Sequence, residues 1–350
     1  MGHPAVDNST PFAFESLFLA DEEGRPLLVP VVKATYVIHP REGLALAEKP
    51  IPVNAAGQFR GDPDKSSYKY EPECVFIKLA TDVVLIGHAH APRPGSTEVN
   101  VSLRVGPLEK TVRVVGDRTW VKGLLGASAS EPKPFERIPL IWERAYGGWD
   151  RSHPEPAKHA FEPRNPVGTG IKLKHGNLEQ ATPPPNLEDP RRPLKHYGDT
   201  PPPAGFGFTG PSWQPRAAFA GTYNDAWMKE RMPLLPKDFD RRFFNAAAPG
   251  LIASGYLKGN EMVTVENASP GARISFSLPG VPAPQCLVTR AGQPDQQLQT
   301  QLDTVIINLD DKLLLLLWRA NTVLRNGPHD VRSIKVWAEG VSAPSRSPEP

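Results

Sequence analysis

The stretch STEVNVSLRVGPLEKTVRVVGDRTWV, Ser96–Val121, decides the fold class. Val99, Val101, Leu103 and Val105 alternate with polar residues, Gly106-Pro107 breaks the run, and Thr111–Val115 resumes it. Alternation with a period of two on both sides of a tight turn specifies an antiparallel hairpin with one apolar face. The same signal extends outward. PLLVPVVKATYVIHP (Pro26–Pro40) is rich in β-branched residues and bounded by turn signals, and CVFIKLATDVVLIGHAHAP (Cys74–Pro92) reads as two strands around Ala80–Asp82. Towards the C-terminus, strands are expected at Glu261–Glu266, Arg273–Leu278 and Cys286–Arg290. A hairpin Thr304–Leu309/Leu313–Arg319 turns through Asp310-Asp311-Lys312, and Arg332–Ala338 forms a last strand. Leu313–Leu317 is too apolar for an exposed edge and is expected to be a central strand buried on both faces.

Between these regions the pattern changes. The chain contains 41 prolines and 29 glycines, and they crowd into rigid blocks that also carry Trp, Tyr and Arg. These blocks are WERAYGGWD (Trp142–Asp150), RNPVGTG (Arg164–Gly170), NLEDP (Asn186–Pro190), PAGFGFTGPSWQPR (Pro203–Arg216) and TYNDAWMKERMPLLPKDFDRRFFNAAAP (Thr222–Pro249). Proline fixes φ and glycine makes turns other residues cannot, so such blocks encode loops of definite shape. Loops of that kind bearing aromatic and arginine residues are typical of recognition surfaces. One helix is expected, at Asn224–Met232, with Asn224 or Asp225 as its cap and Pro233 as its stop. The reading is an all-β, mainly antiparallel, sandwich-like protein with a long Pro/Gly-rich loop insertion and few short helices. One elaborated domain spans residues 1–340, strand-rich at 11–125 and 255–340 and loop-rich at 126–254. Residues 341–350, a Ser/Pro tail, are expected to be disordered.

The totals exclude several function classes. With 40 basic and 38 acidic residues the net charge is +2 and well mixed, so no nucleic-acid footprint is expected. Cys74 and Cys286 stand far apart, which argues against a disulfide framework or a cysteine zinc site and suits a reducing cytosol. No secretory signal opens the chain, and no apolar run approaches the roughly 20 residues of a membrane span. A cytoplasmic protein with no membrane insertion is expected.

Candidate chemistry is sparse. His88 and His90 in IGHAHAP share one face of a strand, but no third ligand lies near in sequence, so no metal or other cofactor is expected. Glu143 and Asp150, framed by Trp142 and Trp149, have the composition of a glycosidase carboxylate pair. The competing expectation for Glu143 is an ion pair with a loop arginine such as Arg164 or Arg216. Alternation would place Trp142, Arg144 and Tyr146 on one face. No GxSxG motif occurs, and Gly168-Thr169-Gly170 and Gly205-Phe206-Gly207 lack the strand–helix context of a phosphate cradle. No catalytic residue is therefore assigned, and Trp142, Arg144, Tyr146, Trp213 and Arg216 are taken as candidate protein-binding anchors.

Taken in order, TDVVLIGHAHAP, WERAYGGWD, RNPVGTG, NLEDP, GFTGPSWQPR, GTYNDAWMKERMPLLPKDFDRRFFNAAAP, GYLKGNE and LDTVIINLDDKLLLLLWRA resemble the bacterial domain of unknown function twenty-one sixty-nine. The resemblance runs from about Phe12 to Trp337. It implies a non-enzymatic, cytosolic type VI secretion adaptor or chaperone that binds an effector or its PAAR-like domain and helps load it onto the VgrG spike. Two alternatives stay open on the residues alone: a glycan-acting hydrolase using Glu143 and Asp150, and a carbohydrate-binding β-sandwich using tryptophans as stacking platforms.

Overall fold

In a computed structural model, which describes residues 4–39, 43–124 and 126–341, the chain is all-β, with strands in several mostly antiparallel sheets. The largest sheet has seven strands. Its main path runs Ala13–Ala20, Pro26–His39, Leu313–Arg319, Gln301–Asn308, Asp82–Ile86, and every pairing is antiparallel except the last. The leucine run occupies the middle, with Leu314–Leu317 at 0–1% exposure. Side chains on both faces of that strand are buried, as its unbroken apolar sequence requires. The turn expected at Asp310-Asp311 is present, and Lys312 takes a positive φ of 54° there.

The Ser96–Val121 hairpin forms as read, pairing Glu98–Val105 with Leu108–Val115. It is extended by Met262–Glu266 and Arg273–Ser277 on one side and Leu187–Glu188 on the other into a five-stranded sheet. A four-stranded sheet gathers Ala5–Asn8, Val331–Trp337, Gln285–Arg290 and Gln296–Gln299. Apolar side chains of all three sheets join one continuous core. The helix is Asp225–Glu230, capped by the Asn224 side chain, which accepts from Trp227 N. The tail expected at 341–350 lies, apart from Val341, outside the described residues.

Two expectations are corrected. Residues 74–81 are not a strand. Polar side chains take the place of a ladder: Arg319 Nη1 donates to the Glu73 and Val75 carbonyls, Asn321 Nδ2 to that of Phe76, and Leu79 N donates to Asn245 Oδ1. The loop-rich middle is also no excursion from the core. It lies along the Asp82–Ile86 edge of the large sheet, where Val83 N donates to Leu251 O at 2.9 Å and Leu85 N to Phe206 O at 3.2 Å. Phe206, Phe208, Trp142 and Leu251 are all buried. Each such side chain contributes about 1.5–3 kcal/mol by leaving water, so these loops help make the core.

A buried polar cluster fastens the loops to that edge. Asp82, fully buried, accepts from Lys78 Nζ at 2.7 Å, Asn245 Nδ2 at 3.0 Å and Ala246 N at 2.9 Å. Lys78 also donates to Thr304 Oγ1, whose neighbour Asp303 sits at a register slip and accepts from Arg319 Nε at 2.6 Å. On the other side Glu71 pairs with Arg216 at 2.5 Å. Burial lowers the affinity of Lys78 for its proton, but Asp82 and Glu71 outweigh it and hold the ammonium above its ordinary range. Asp82→Ala would remove the closest carboxylate and leave buried Lys78 with Glu71 at 3.8 Å, and removing one partner of such a pair costs about 3–5 kcal/mol. Leu315→Asp, which buries an unpaired charge in the central strand, should cost several kcal/mol, a large share of an ordinary domain's stability. Urea unfolding of both variants checks this; midpoints matching the wild type would place both positions outside the core.

Candidate protein-binding groove

The WERAYGGWD and RNPVGTG blocks fold against each other backbone to backbone. A Cβ on Gly148, whose φ is +100°, would lie 2.5 Å from the Gly168 carbonyl oxygen, so only glycine allows this approach. Asn165, fully buried, locks the crossing by donating through Nδ2 to the carbonyls of Trp142 at 2.8 Å and Tyr146 at 3.0 Å. A short antiparallel ribbon, Trp149–Asp150 with Ala160–Phe161, then sets Trp149 directly across from Phe161. Their rings lie 4.6 Å apart, and both stay open to solvent at 39% and 43% exposure. The Arg151 guanidinium covers the Trp149 ring at 5.3 Å.

Asp150 fixes the base of this ribbon. Its carboxylate accepts from Ser152 N and Oγ and from Lys174 N. Burial pushes the Asp150 carboxyl up, but the Ser152 and Lys174 hydrogen bonds overcome it and hold it below the ordinary carboxylate range. A glycosidase acid needs the opposite shift. Glu143 is engaged too, by Ser67 N at 2.7 Å and by the Ser67 hydroxyl. The arginines expected to pair with Glu143 are bound elsewhere, Arg164 to Glu162 and Arg216 to Glu71.

Trp149 and Phe161 form one wall of a groove of about 380 Å³. The stacked pair Phe59–Tyr68, 4.0 Å between centroids, also lines it, and the turn Gly210–Trp213 closes it. Residues of the same segment, Thr209, Pro215 and Arg216, also line a second, mostly apolar cavity of about 410 Å³. Leu79, Phe219 and Ile252 line it, with Arg216 and Asn245 as polar lining. The GFTGPSWQPR block thus contributes to two concavities. Arg216 braces it, donating from Nη1 to Thr209 O at 2.8 Å and from Nε to Phe243 O at 2.7 Å while pairing with Glu71.

The five expected anchors are not gathered on one surface. Trp142, Tyr146, Trp213 and Arg216 are buried, at 3–6% exposure. Trp142 and Trp213 pack edge to face at 5.9 Å, and burial pushes the Tyr146 hydroxyl up to about 12. Only Arg144 is exposed, and it bonds Asn186 Oδ1 at 3.0 Å and Asp117 Oδ1 at 3.3 Å. The shared face expected for Trp142, Arg144 and Tyr146 fails because Trp142–Arg144 is a 3-10 turn, which breaks strand alternation. Of the four buried residues, Trp213 lines the groove and Arg216 lines a neighbouring cavity, while Trp142 and Tyr146 lie beneath the surface. The exposed pair, Trp149 with Phe161, escapes local reading because Phe161 lies outside the motif blocks and meets Trp149 only through the short ribbon. Its one sequence signal is Trp149 following two glycines.

His88 and His90 do share the strand His88–His90, where His88 Nδ1 lies 2.8 Å from Asp310 Oδ1. Burial, then His88, lowers the proton affinity of His90. Among the described residues no group of three or more His, Cys, Asp or Glu side chains is placed to hold a metal, and no helix is long and apolar enough to cross a membrane.

Fold and site together define an all-β scaffold that presents a rigid, loop-built aromatic groove. The chain belongs to the family described as an uncharacterized protein conserved in bacteria (DUF2169), which matches residues 23–319. No curated protein and no solved structure matches it.

The burial pattern sets a contrast between wall and surface. Trp213→Ala should destabilise the protein by about 3–5 kcal/mol, the cost of emptying a large aromatic site. Trp149→Ala with Phe161→Ala should cost about 2 kcal/mol in all, the aromatic pair plus the part of each ring that lies out of water. Chemical denaturation of the two variants measures the difference, and equal losses would contradict the assignment.

Proposed function

We propose that this protein is a non-enzymatic adaptor or chaperone of type VI secretion that binds an effector, or its PAAR-like domain, and helps load it onto the VgrG spike in the bacterial cytoplasm. The groove and cavity to which residues 209–216 contribute are its docking surface in this reading. The observation that carries the binding role is the exposed Trp149–Phe161 pair lining a groove built from rigid loops. Aromatic anchors that need not be ordered on binding supply affinity at low entropic cost. The secretion context comes from the resemblance of the motif blocks to the adaptor family. The low-lying carboxyl of Asp150 and the backbone bonds that occupy it and Glu143 favour binding over glycan hydrolysis.

One observation favours a second reading. An exposed indole beside an exposed phenyl ring is also a stacking platform for a sugar, so carbohydrate binding is the rival.

The test is affinity purification of the full chain from its native cell, with identification of what co-purifies, for wild type and the Trp149→Ala/Phe161→Ala variant. The adaptor reading expects an effector or PAAR-like protein with the wild type and at least a tenfold loss in the variant, in line with two hot-spot side chains of about 2 kcal/mol each. Recovery of the same effector by the folded variant would remove the groove from the interface. Binding to a glycan array that disappears in the variant, with no secretion protein recovered, would establish the rival.

A further inference from the structure

The two edges of the large sheet are treated differently. At one edge, Asp82–Ile86, the loops supply backbone acceptors and full burial. At the other, Ala13–Ala20, no further strand pairs beyond Pro26–His39 among the described residues. The direction of each peptide group on this open edge follows from three hydrogen bonds. Ala320 N donates to Pro30 O, Leu324 N donates to Pro26 O, and Asp21 N donates to Arg25 O across the hairpin turn. The even-numbered residues of Pro26–His39 therefore point away from Ala13–Ala20, and the odd-numbered ones point towards it. Pro30 and Pro26, which have no N–H to give, stand opposite Ser16 and Ala20 and fit that phase. Phe14, Ser16 and Phe18 consequently aim their N–H and C=O groups outward. None of these groups bonds to another described residue outside the strand.

Apart from the single exposed charge of Glu15, this edge lacks the devices that usually blunt one. Its eight residues, AFESLFLA, include no proline and no lysine, and its register with Pro26–His39 runs unbroken from Ala13 to Ala20. Phe14, Leu17, Phe18 and Leu19 pack against the core and are only partly buried, so some apolar surface on both faces borders the unpaired backbone.

We infer that Ala13–Ala20 pairs with the same strand of a second copy of this chain, antiparallel across a two-fold axis, to make one continuous sheet. The strand is self-complementary in this arrangement. Outward-facing residues must oppose outward-facing residues, and centring the axis on Ser16 meets that rule. Phe14 of each copy then faces Phe18 of the other, Ser16 faces Ser16, and Ala13 faces Leu19. Glu15, the strand's single charge, faces Leu17, so no like charges stand directly opposite. The contact is isologous and closes as a dimer. It is independent of the adaptor reading and uses no residue of the groove.

Sedimentation equilibrium of the full chain over a wide concentration range tests it. The wild type should behave as a reversible dimer and Ser16→Pro as a monomer whose melting temperature equals that of wild type diluted until it is monomeric, because dimerisation itself raises the melting point. The lost N–H is the outward one, so the internal ladder keeps its bonds. A wild type that stays monomeric, or a Ser16→Pro protein that still dimerises, overturns the inference. A second variant guards against misfolding. Opposed residues at hydrogen-bonded sites lie about 5.5 Å apart between Cα atoms, within disulfide reach. Ser16→Cys should therefore cross-link to itself on mild oxidation, while Ala20→Cys, which would sit far from its own copy, should not. Absence of the Ser16→Cys cross-link, or equal cross-linking at both positions, would sink the two-fold register.

Discussion

The structure depends on a buried carboxylate. Asp82 is fully enclosed and receives three donors, of which Lys78 comes from its own segment and Asn245 and Ala246 come from the loop-rich middle. A charge removed from water in this way is tolerated only when every neighbouring group is in place. The cluster therefore acts as a geometric condition more than as a net source of stability. It holds where the loops cross the sheet edge, and apolar burial of residues such as Phe206 and Leu251 provides the driving force. The same loops satisfy the backbone of Val83 and Leu85, which removes an exposed edge from the largest sheet.

That arrangement links folding to the proposed role. Residues 209–216 are braced by Arg216 and its pairing with Glu71, so the segment that lines both groove and cavity is anchored to the same cluster. Trp149 and Phe161 stand on a ribbon whose base is bonded by Asp150 and whose approach is permitted by Gly148. A loop surface fixed at this many points is preorganised, and a partner binding it need not order it first. The family match places the chain among uncharacterized bacterial proteins, so the groove supplies the physical content of the functional proposal.

Much of the fold was legible in the sequence because its strands are locally periodic. The alternation of Val99 to Val105, the Gly106-Pro107 turn and the continuous leucine run each carry their own signature, and each took the expected form. The segment 74–81 misled because its apolar residues suit a strand, while its carbonyls and amides are bound by Arg319, Asn321 and Asn245 from distant parts of the chain. The site was less legible for a related reason. Trp142 and Trp213 look like surface anchors in loops full of proline and glycine, yet those loops fold over each other and enclose them. Local composition announces a loop of definite shape. Which of its aromatic rings faces water is decided by contacts such as Asn165 with Tyr146 that span separate motif blocks.

Amide hydrogen exchange followed residue by residue tests most directly whether the loops are a fixed part of the sheet. The amides of Val83 and Leu85 have loop carbonyls as their acceptors, so they report on the loop–sheet junction alone. If the junction opens only with global unfolding, they exchange as slowly as amides of the buried strand Leu313–Arg319. Exchange at Val83 and Leu85 that is orders of magnitude faster than in that strand would show loops that lift off the edge, and would contradict a preorganised groove.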